Sequence, residues 1–260
     1  MGEPGAPRDP REVAPGVFVA TGELYTTTTT VVAGVGGACL VVDPAVTVAE
    51  VDALASWLSA RGLRPALGWS THPHWDHVLW RASLGDVVRY ATPPAARVAA
   101  RELPGLLDGM RESAPGHDES LFGRLAAMPA AELGWDGPRT VVVSHDGHAP
   151  GHGALFLPDA GVLIAGDMCS DIEIPLLDTE SADAFGAYRA GLGLLASLSG
   201  VRAVVPGHGH VGDAAEFRRR VAIDAAYLDA VEAGRDPADP RLTADWLRAE
   251  HDRHVALRDR

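Results

Sequence analysis

Hydrophobic residues along the chain alternate between short runs and longer stretches with helical spacing. The short runs are rich in β-branched residues and are bounded by Gly and Pro, which is typical of strands. We predict strands at residues 17–20, 26–33, 38–42, 66–70, 140–144, 154–157, 161–165 and 203–205. Apolar positions three or four residues apart predict helices at residues 48–58, 185–195, 217–231 and 243–257. Strands followed by helices in two successive halves predict sheets covered by helices, an α/β architecture.

Two stretches lie outside this alternation. Residues 93–138 combine helical and irregular patterns, and they form either a helical roof over a functional site or a peripheral helical excursion. After Gly212 the pattern is purely helical. We therefore predict one main domain over residues 1–212 and a C-terminal helical extension over residues 213–260.

Composition and charge restrict the environment and the partners of the chain. It is 47% hydrophobic with a formal net charge of −13, so its field disfavours binding to nucleic acid. No apolar stretch approaches the ~18 residues that cross a bilayer. The polar residues 1–15 lack the basic start and apolar centre of a secretory signal. We expect a cytoplasmic protein with a small-molecule substrate, no membrane or nucleic-acid partner, and a monomeric or homodimeric state.

Several residue types are missing from the chain. It contains no Lys, no Asn and no Gln, and all 22 basic side chains are Arg. Schiff-base lysine chemistry is therefore excluded, and no side-chain amide can stabilise an oxyanion. The two cysteines cannot form a disulfide scaffold in a chain of this size.

A dense group of metal-ligand types follows the strand predicted at residues 66–70. His72, His74, Asp76 and His77 stand within six residues in an H-x-H-x-D-H pattern. Imidazole nitrogens and carboxylate oxygens suit zinc and similar divalent metals. Placing three imidazoles and an acid in one buried loop is costly without a cation, so the pattern predicts a metal site.

Three later segments add one candidate ligand each. His152 stands in a Gly-rich turn before a strand, while Asp167 and His208 each end a strand after a Gly. Each segment alone is a weak signal because such turns are common. Together with the first group they form a strong signal for a metal centre at strand ends.

This set of motifs resembles the metallo-β-lactamase superfamily over roughly residues 43–208. The resemblance implies an αββα four-layer sandwich with the active site along one edge of the sheets. It implies a first metal held by three histidines, a second metal held by an acid and two histidines, and one bridging acid. These are, in that order, His72, His74 and His152; Asp76, His77 and His208; and Asp167.

The resemblance also implies the cofactors and the catalytic roles. We expect two zinc ions per chain, with iron or manganese as alternatives, and a hydroxide shared by the metals as the nucleophile. Asp167 and Asp76 are the expected catalytic acids, the latter near the leaving group. Asp43 matches the family's first motif, an acid that braces the metal loop. Its alternative is an ordinary turn Asp before Pro44.

Differences from individual branches of the family reduce the number of reactions that we expect of this chain. Many family β-lactamases have Cys or Ser at the position of Asp167 and grip the substrate with Lys or Asn, which this chain lacks. Nucleases need a basic surface, and flavodiiron oxygen reductases have Glu where this chain has His74. Glyoxalase II is similar in its ligands and C-terminal helices, although its grip on glutathione relies partly on lysine.

We therefore expect hydrolysis of an ester, thioester or lactone of a small, partly apolar metabolite. A phosphodiesterase, a mononuclear-iron oxidoreductase of persulfide-dioxygenase type and a non-catalytic binding protein remain as alternatives. Metal content and a substrate panel separate them.

Three residues are candidates for the substrate pocket. Leu79 and Trp80 follow the ligand pair where the family often has small residues, so they either wall the pocket or pack the core. His210 is either a donor in the site or a surface residue. We interpret His145 and His148 as surface residues at strand ends.

Overall fold

The computed structural model of the chain describes residues 9–128 and 130–259. The first eight residues of the polar N-terminal segment lie outside the described residues. No helix in the described ranges is long and apolar enough to cross a bilayer.

The N-terminal half of the chain forms the first sheet. Its seven described strands, in their order across the sheet, are β1 (Arg11–Ala14), β2 (Val17–Thr21), β3 (Thr28–Ala33), β4 (Ala38–Val42), β5 (Arg64–Trp69), β6 (Arg89–Ala91) and β7 (Ala126–Ala127). Strands β1 to β4 pair antiparallel, and β4 to β7 pair parallel. Parallel neighbours need a crossover. The helices in these connections are α1 (Val48–Ala60), α2 (Pro93–Arg101) and α3 (Leu103–Ser113).

The C-terminal half forms the second sheet, which has the strand order β12-β11-β10-β9-β8. These strands are β8 (Val141–His145), β9 (His152–Leu157), β10 (Val162–Gly166), β11 (Ala203–Pro206) and β12 (Gly212–Asp213). Only β10 and β11 pair parallel among the described strands of this sheet, and the helix α4 (Ala184–Ala196) connects them. The chain ends with α5 (Ala214–Glu232) and α6 (Asp245–Arg258).

Alternation along the strands builds the layers, because successive side chains of a strand point to opposite faces. In β4, Leu40 and Val42 belong to the core between the two sheets. Cys39 and Val41 point the other way and pack with residues of α1. In β10, Ile164 likewise faces the first sheet, while its neighbours on the opposite face pack against α4. The predicted αββα sandwich is confirmed.

The C-terminal helices complete one outer layer of this sandwich. Phe217 and Leu228 of α5 and Leu247 of α6 share one apolar core with Tyr188 of α4 and the outer face of the second sheet. Burying each such side chain contributes ~1.5–3 kcal/mol, so the helices are held by the same core as the sheet.

Buried charges tie these helices to the loop that follows β10. Arg241 donates to Asp224 at 2.6 Å and to the Ser170 carbonyl at 3.1 Å. Arg220 of α5 donates to the Cys169 carbonyl at 3.2 Å. Removing one partner would leave a buried charge uncompensated, so the arrangement holds the loop firmly.

The predicted strands and helices are found with small differences in their bounds, but four short strands were not predicted. These are β1, β6, β7 and β12. Strands of two to four residues carry too few side chains to show an alternating pattern. Their pairing depends on neighbours that are distant in the sequence.

Candidate metal centre

The candidate ligands lie where strands of both sheets end beside each other. The loop 71–77 follows β5, Asp167 follows β10, and His208 stands two residues after β11. The sheets are joined here, because the Thr28 amide donates to the Gly207 carbonyl at 2.7 Å. Candidate ligands from three separate parts of the chain therefore meet at one edge of the sandwich.

Asp43 holds the loop 71–77 in place through its carboxylate. Its Oδ1 accepts from the Thr71 amide at 2.8 Å, and its Oδ2 accepts from the Thr71 hydroxyl at 2.6 Å. Oδ2 also lies 3.1 Å from Nδ1 of His77, which leaves Nε2 of that ring free to face the centre. The backbone of Asp43 has φ 46°, a costly conformation for a non-glycine residue that the surrounding contacts hold in place.

Four side chains converge in a first group. Nδ1 of His74 lies 3.1 Å from Nε2 of His72 and 3.1 Å from Nε2 of His148. Oδ2 of Asp167 lies 3.4 Å from Nε2 of His72. All four ligand atoms of this group lie within 4.8 Å of one another.

A second group lies beside the first. It consists of Asp76, His77 and His208, whose ligand atoms also lie within 4.8 Å of one another. The Nε2 atoms of the two histidines are 3.2 Å apart. Asp167 touches this group too, with Oδ1 3.3 Å from His77 and Oδ2 3.3 Å from His208. Its carboxylate therefore connects both groups.

Two glycines allow this close approach. A Cβ on Gly207 would overlap Oδ1 of Asp167, and a Cβ on Gly166 would overlap Nε2 of His152. Gly166 also has φ 56°, which a larger residue adopts only at a cost. The Gly before each strand-end ligand is thus a steric requirement of the site.

Burial and charge shift the protonation of the cluster in opposite directions. Burial lowers the pKa of His72 well below its ordinary value, and the nearby His77 lowers it further. Burial would also lower the pKa of His77, but the carboxylates of Asp167 and Asp76 raise it well above its ordinary value. Burial opposes ionisation of Asp76, yet His77 and His208 bring its pKa to about 2. The carboxylates thus draw positive charge into the centre.

The donor set fits a pair of divalent cations. Imidazole nitrogens face one another at 3.1–3.2 Å in both groups, and such pairs repel unless a proton or a cation stands between them. Oδ1 of Asp167 is buried without a hydrogen-bond partner in the described residues. Nitrogen and carboxylate donors of this kind suit zinc, iron or manganese.

The contacts of Asp43 lead to a first prediction. We expect Asp43→Asn to weaken metal binding by about 10–100-fold, since acids behind a ligand have effects of this size. The asparagine side chain has one accepting oxygen, so it cannot accept both Thr71 bonds as the two carboxylate oxygens do. Competition with a chromogenic chelator measures the affinity. The exposed Asp108→Asn serves as the matched control, and equal affinities in both variants would contradict the bracing role.

Six of the seven predicted ligands lie in the two groups, and His152 is the one outside them. Its ring is fully buried and stacked between His72 and His145, with centroids 5.2 Å and 4.5 Å away. Neither ring nitrogen of His152 has a hydrogen-bond partner in the described residues. His148 lies in the first group, and its Nδ1 lies 2.8 Å from the Leu176 carbonyl.

The hairpin formed by β8 and β9 places its histidines in different positions. His145 and His152 are paired residues on the two strands, whereas His148 stands in the connecting turn. The turn is closed by the Gly151 amide, which donates to Asp146 at 2.6 Å. The prediction that His145 and His148 are surface residues is wrong, because both are buried.

The predicted pocket residues lie away from the centre. Leu79 is 1% exposed and packs with residues of the loop after α3, while Trp80 is 3% exposed and packs against α1. The Trp80 indole donates to the Gly85 carbonyl at 2.9 Å. His210 is mostly exposed, and its Nδ1 lies 2.9 Å from Asp171. None of the three lines the cavity at the centre, so core packing is the role that fits Leu79 and Trp80.

A stability prediction follows for Trp80. We expect Trp80→Ala to lower the free energy of unfolding by ~3–5 kcal/mol, because it leaves a large cavity in a packed core. The half-exposed Trp246→Ala should cost far less and provides the comparison. Urea denaturation of both variants measures the difference, and equal losses would argue against the core placement.

The metal centre opens into a cavity of about 380 Å³. The residues that line it include ligands of both groups and come from several elements. They are Tyr25, His74, Asp76, His148, Asp167, Glu173, Leu176, Leu177, Thr179, His208, Trp246, Glu250 and Arg253. The described part of residues 93–138 contributes none of them. The walls come instead from the loop after β10 and from α6.

A buried histidine fixes α6 to this loop. The Leu177 amide donates to Nε2 of His254 at 3.3 Å. Nδ1 of the same ring is therefore the protonated nitrogen and lies 2.8 Å from the Tyr227 hydroxyl. Burial lowers the pKa of His254 to about 4, which keeps the ring neutral. Sequence reasoning missed this contact, and it also missed Glu173, because nothing local distinguishes these residues.

Comparisons with known proteins agree with this geometry. Residues 22–212 match the family model of the metallo-beta-lactamase superfamily. A search of proteins with curated functions found no match.

Several solved structures have a similar fold. A beta-lactamase domain protein from Burkholderia ambifaria is 22% identical with a TM-score of 0.68, over 89% of this chain and 80% of that one. A metallo-beta-lactamase family protein from Thermus thermophilus is 21% identical with a TM-score of 0.68, over 95% of both chains. A metallo beta lactamase from Erythrobacter litoralis is 17% identical with a TM-score of 0.58, over 83% of this chain and 95% of that one. At these identities the likeness shows the fold alone.

Proposed function

Because the chain belongs to the metallo-beta-lactamase superfamily, we propose that it is a dinuclear metal hydrolase of an ester, thioester or lactone. The observation that carries this proposal is the pair of ligand groups joined by Asp167 at the floor of an open cavity. The substrate is a small, partly apolar molecule, and zinc is the proposed metal.

The ligands are assigned from the geometry. We assign His72, His74 and His148 to one metal, and three residues to the other, with Asp167 shared. The second set is Asp76, His77 and His208. We assign His148 where the sequence suggested His152, because the ligand atom of His148 lies within 4.8 Å of those of His72, His74 and Asp167.

The chemistry of the site combines the metals with the chain's own residues. Two bound divalent ions supply an activated water and polarise the oxygen of the electrophile. Asp167 holds the two ligand groups in fixed relation, since its two oxygens contact both. Asp76 lines the cavity as a carboxylate, and we assign to it the uptake of the proton released by the attacking water and the transfer of that proton to the leaving group.

The cavity supports an acyl substrate with an apolar part. Leu176, Leu177 and Trp246 provide apolar walls, and Tyr25 adds a second aromatic side chain. The chain has no Lys, Asn or Gln, and the arginine that lines the described cavity, Arg253, is paired with Glu250. Binding of an apolar acyl group is what such a lining favours.

Elemental analysis and a substrate panel together test this function. Protein purified without chelator and titrated with zinc should contain two metals per chain. It should hydrolyse members of a panel of acyl esters, acyl thioesters and lactones, and lose this activity on dialysis against a chelator. A single metal that added zinc does not change would contradict the dinuclear site. Turnover of bis-aryl phosphates alone would contradict the acyl substrate, and a single iron with oxygen consumption would contradict hydrolysis.

A further inference from the structure

Glu173 is a buried acid beside the metal centre that the proposed reaction does not use. It lies in the loop after β10, is 7% exposed and lines the same cavity as Asp76, Asp167 and His208. It belongs to neither group of converging ligands. Its carboxylate is therefore in the reaction cavity but outside the ligand set of the metals.

Ser170, in the loop after β10, fixes the backbone of Glu173 and links it to the backbone of His208. The Ser170 hydroxyl donates to the His208 carbonyl at 2.8 Å and accepts from the Glu173 amide at 3.1 Å. Arg241 holds the Ser170 carbonyl from the other side at 3.1 Å. The backbone of Glu173 is thus anchored to a ligand-bearing loop.

The side chain of Glu173, in contrast, has no partner. Within residues 9–128 and 130–259, no hydrogen bond or ion pair reaches its carboxylate. The cationic side chain that lines the same cavity, Arg253, is mostly exposed and pairs with Glu250. The carboxylate of this mostly buried acid therefore faces only the open cavity, and such a group points to a partner supplied by the ligand.

The surroundings favour a positively charged partner. Tyr25 and Trp246 line the outer part of the cavity and are each about half exposed. Aromatic faces attract cations, and the net charge of −13 raises their local concentration. An anionic group would instead meet the carboxylates of Glu173 and Glu250.

We propose that Glu173 binds a protonated amine of the substrate, located within one or two carbons of the carbonyl that is attacked. The substrate class is then an ester, thioester or lactone of an amino acid or a similar amino acyl compound. This inference rests on the proposed hydrolase function for the carbonyl, but the recognition of the amine is a binding property and can be measured without turnover.

Binding of matched hydroxamates to the zinc-loaded protein tests the proposal. Leucine hydroxamate and 3-amino-4-methylpentanohydroxamate carry the amine one or two carbons from the carbonyl, and 4-methylpentanohydroxamate lacks it. Burial raises the pKa of Glu173 to about 7, so calorimetry at about pH 7.5 gives the three affinities with the carboxyl mostly ionised and the amines still mostly protonated. We expect at least one amino compound to bind about 10–100-fold more tightly than the amine-free one, the usual advantage of a hydrogen bond to a charged group.

Variants locate the source of this preference. Glu173→Gln and Glu173→Ala should keep two metals per chain and lose most of the preference. Glu180→Gln removes one negative charge from an exposed position of the same loop, and it should retain the preference in full. Equal affinities for the three hydroxamates in the unmodified protein would overturn the proposal. A preference that persists in the Glu173 variants would also overturn the proposal. The same holds if Glu180→Gln loses the preference equally, or if the Glu173 variants lose a metal together with the preference.

The outcome is separate from that of the hydrolase proposal. If the protein hydrolyses no ester, thioester or lactone, the proposed function fails, while the hydroxamate affinities still decide whether Glu173 binds an amine. If acyl compounds are hydrolysed but the amine brings no advantage in binding, only the present inference fails.

Discussion

Asp167→Ala is expected to release metal from both groups and to reduce turnover by at least about a thousandfold. One carboxylate contacts His72, His77 and His208, so its loss removes a ligand from each metal at once. Metal ions contribute several kcal/mol to transition-state stabilisation in hydrolases, which corresponds to a factor of this size. Elemental analysis and initial rates on the best acyl substrate measure the two effects together.

Two further measurements make this prediction specific. Asp229→Ala removes an exposed acid of α5 that pairs with Arg189, and it should keep both metals and full turnover. Far-ultraviolet circular dichroism should show that Asp167→Ala remains folded when excess zinc is present. Retention of two metals and near-normal turnover in Asp167→Ala would refute the bridging assignment.

Replacing His148 and His152 in turn should give opposite results. His148→Ala should lose one metal per chain and most of its activity, because His148 lies at ligand distance from His74 and Asp167. His152→Ala should retain two metals, because neither of its ring nitrogens belongs to a ligand group. Its cost should be a few kcal/mol of stability, since its ring fills the space between two other imidazoles.

The two variants act as controls for each other, as they remove the same side chain from neighbouring positions of one hairpin. Metal content and urea denaturation are measured on both. If His152→Ala loses a metal while His148→Ala keeps two, the ligand set implied by the sequence is restored. Loss of metal in both variants would mean that metal binding depends on both histidines.

Much of the fold is accessible from the sequence because burial leaves a local pattern. The strands at residues 38–42 and 161–165 are buried on both faces and therefore read as continuous apolar runs. Helices α1 and α5 show apolar residues at helical spacing for the same reason. The short strands β6 and β7 leave no such pattern, since their pairing depends on partners distant in the chain.

The metal site was likewise only partly predictable from the sequence. The residues of the H-x-H-x-D-H loop stand side by side in the sequence, so their number and type predicted a metal site. Whether His148 or His152 joins them depends on which residue the hairpin turns inward, and both stand beside a Gly. The resemblance implied His152, whereas the pairing of β8 with β9 places His148 in the turn, where it joins the first group.

The sequence by itself determined the family of this protein and a candidate metal site, because metal-ligand side chains crowded into one loop have few other uses. Only the tertiary structure decided what surrounds that chemistry. Trp80 lies next to the ligands in the chain but packs in the core, whereas Trp246 is distant in the chain but lines the cavity. Ligand identity is set by side-chain type, which the sequence states directly. The walls of a cavity are set by the packing of helices and loops from distant parts of the chain, and no local pattern encodes that packing.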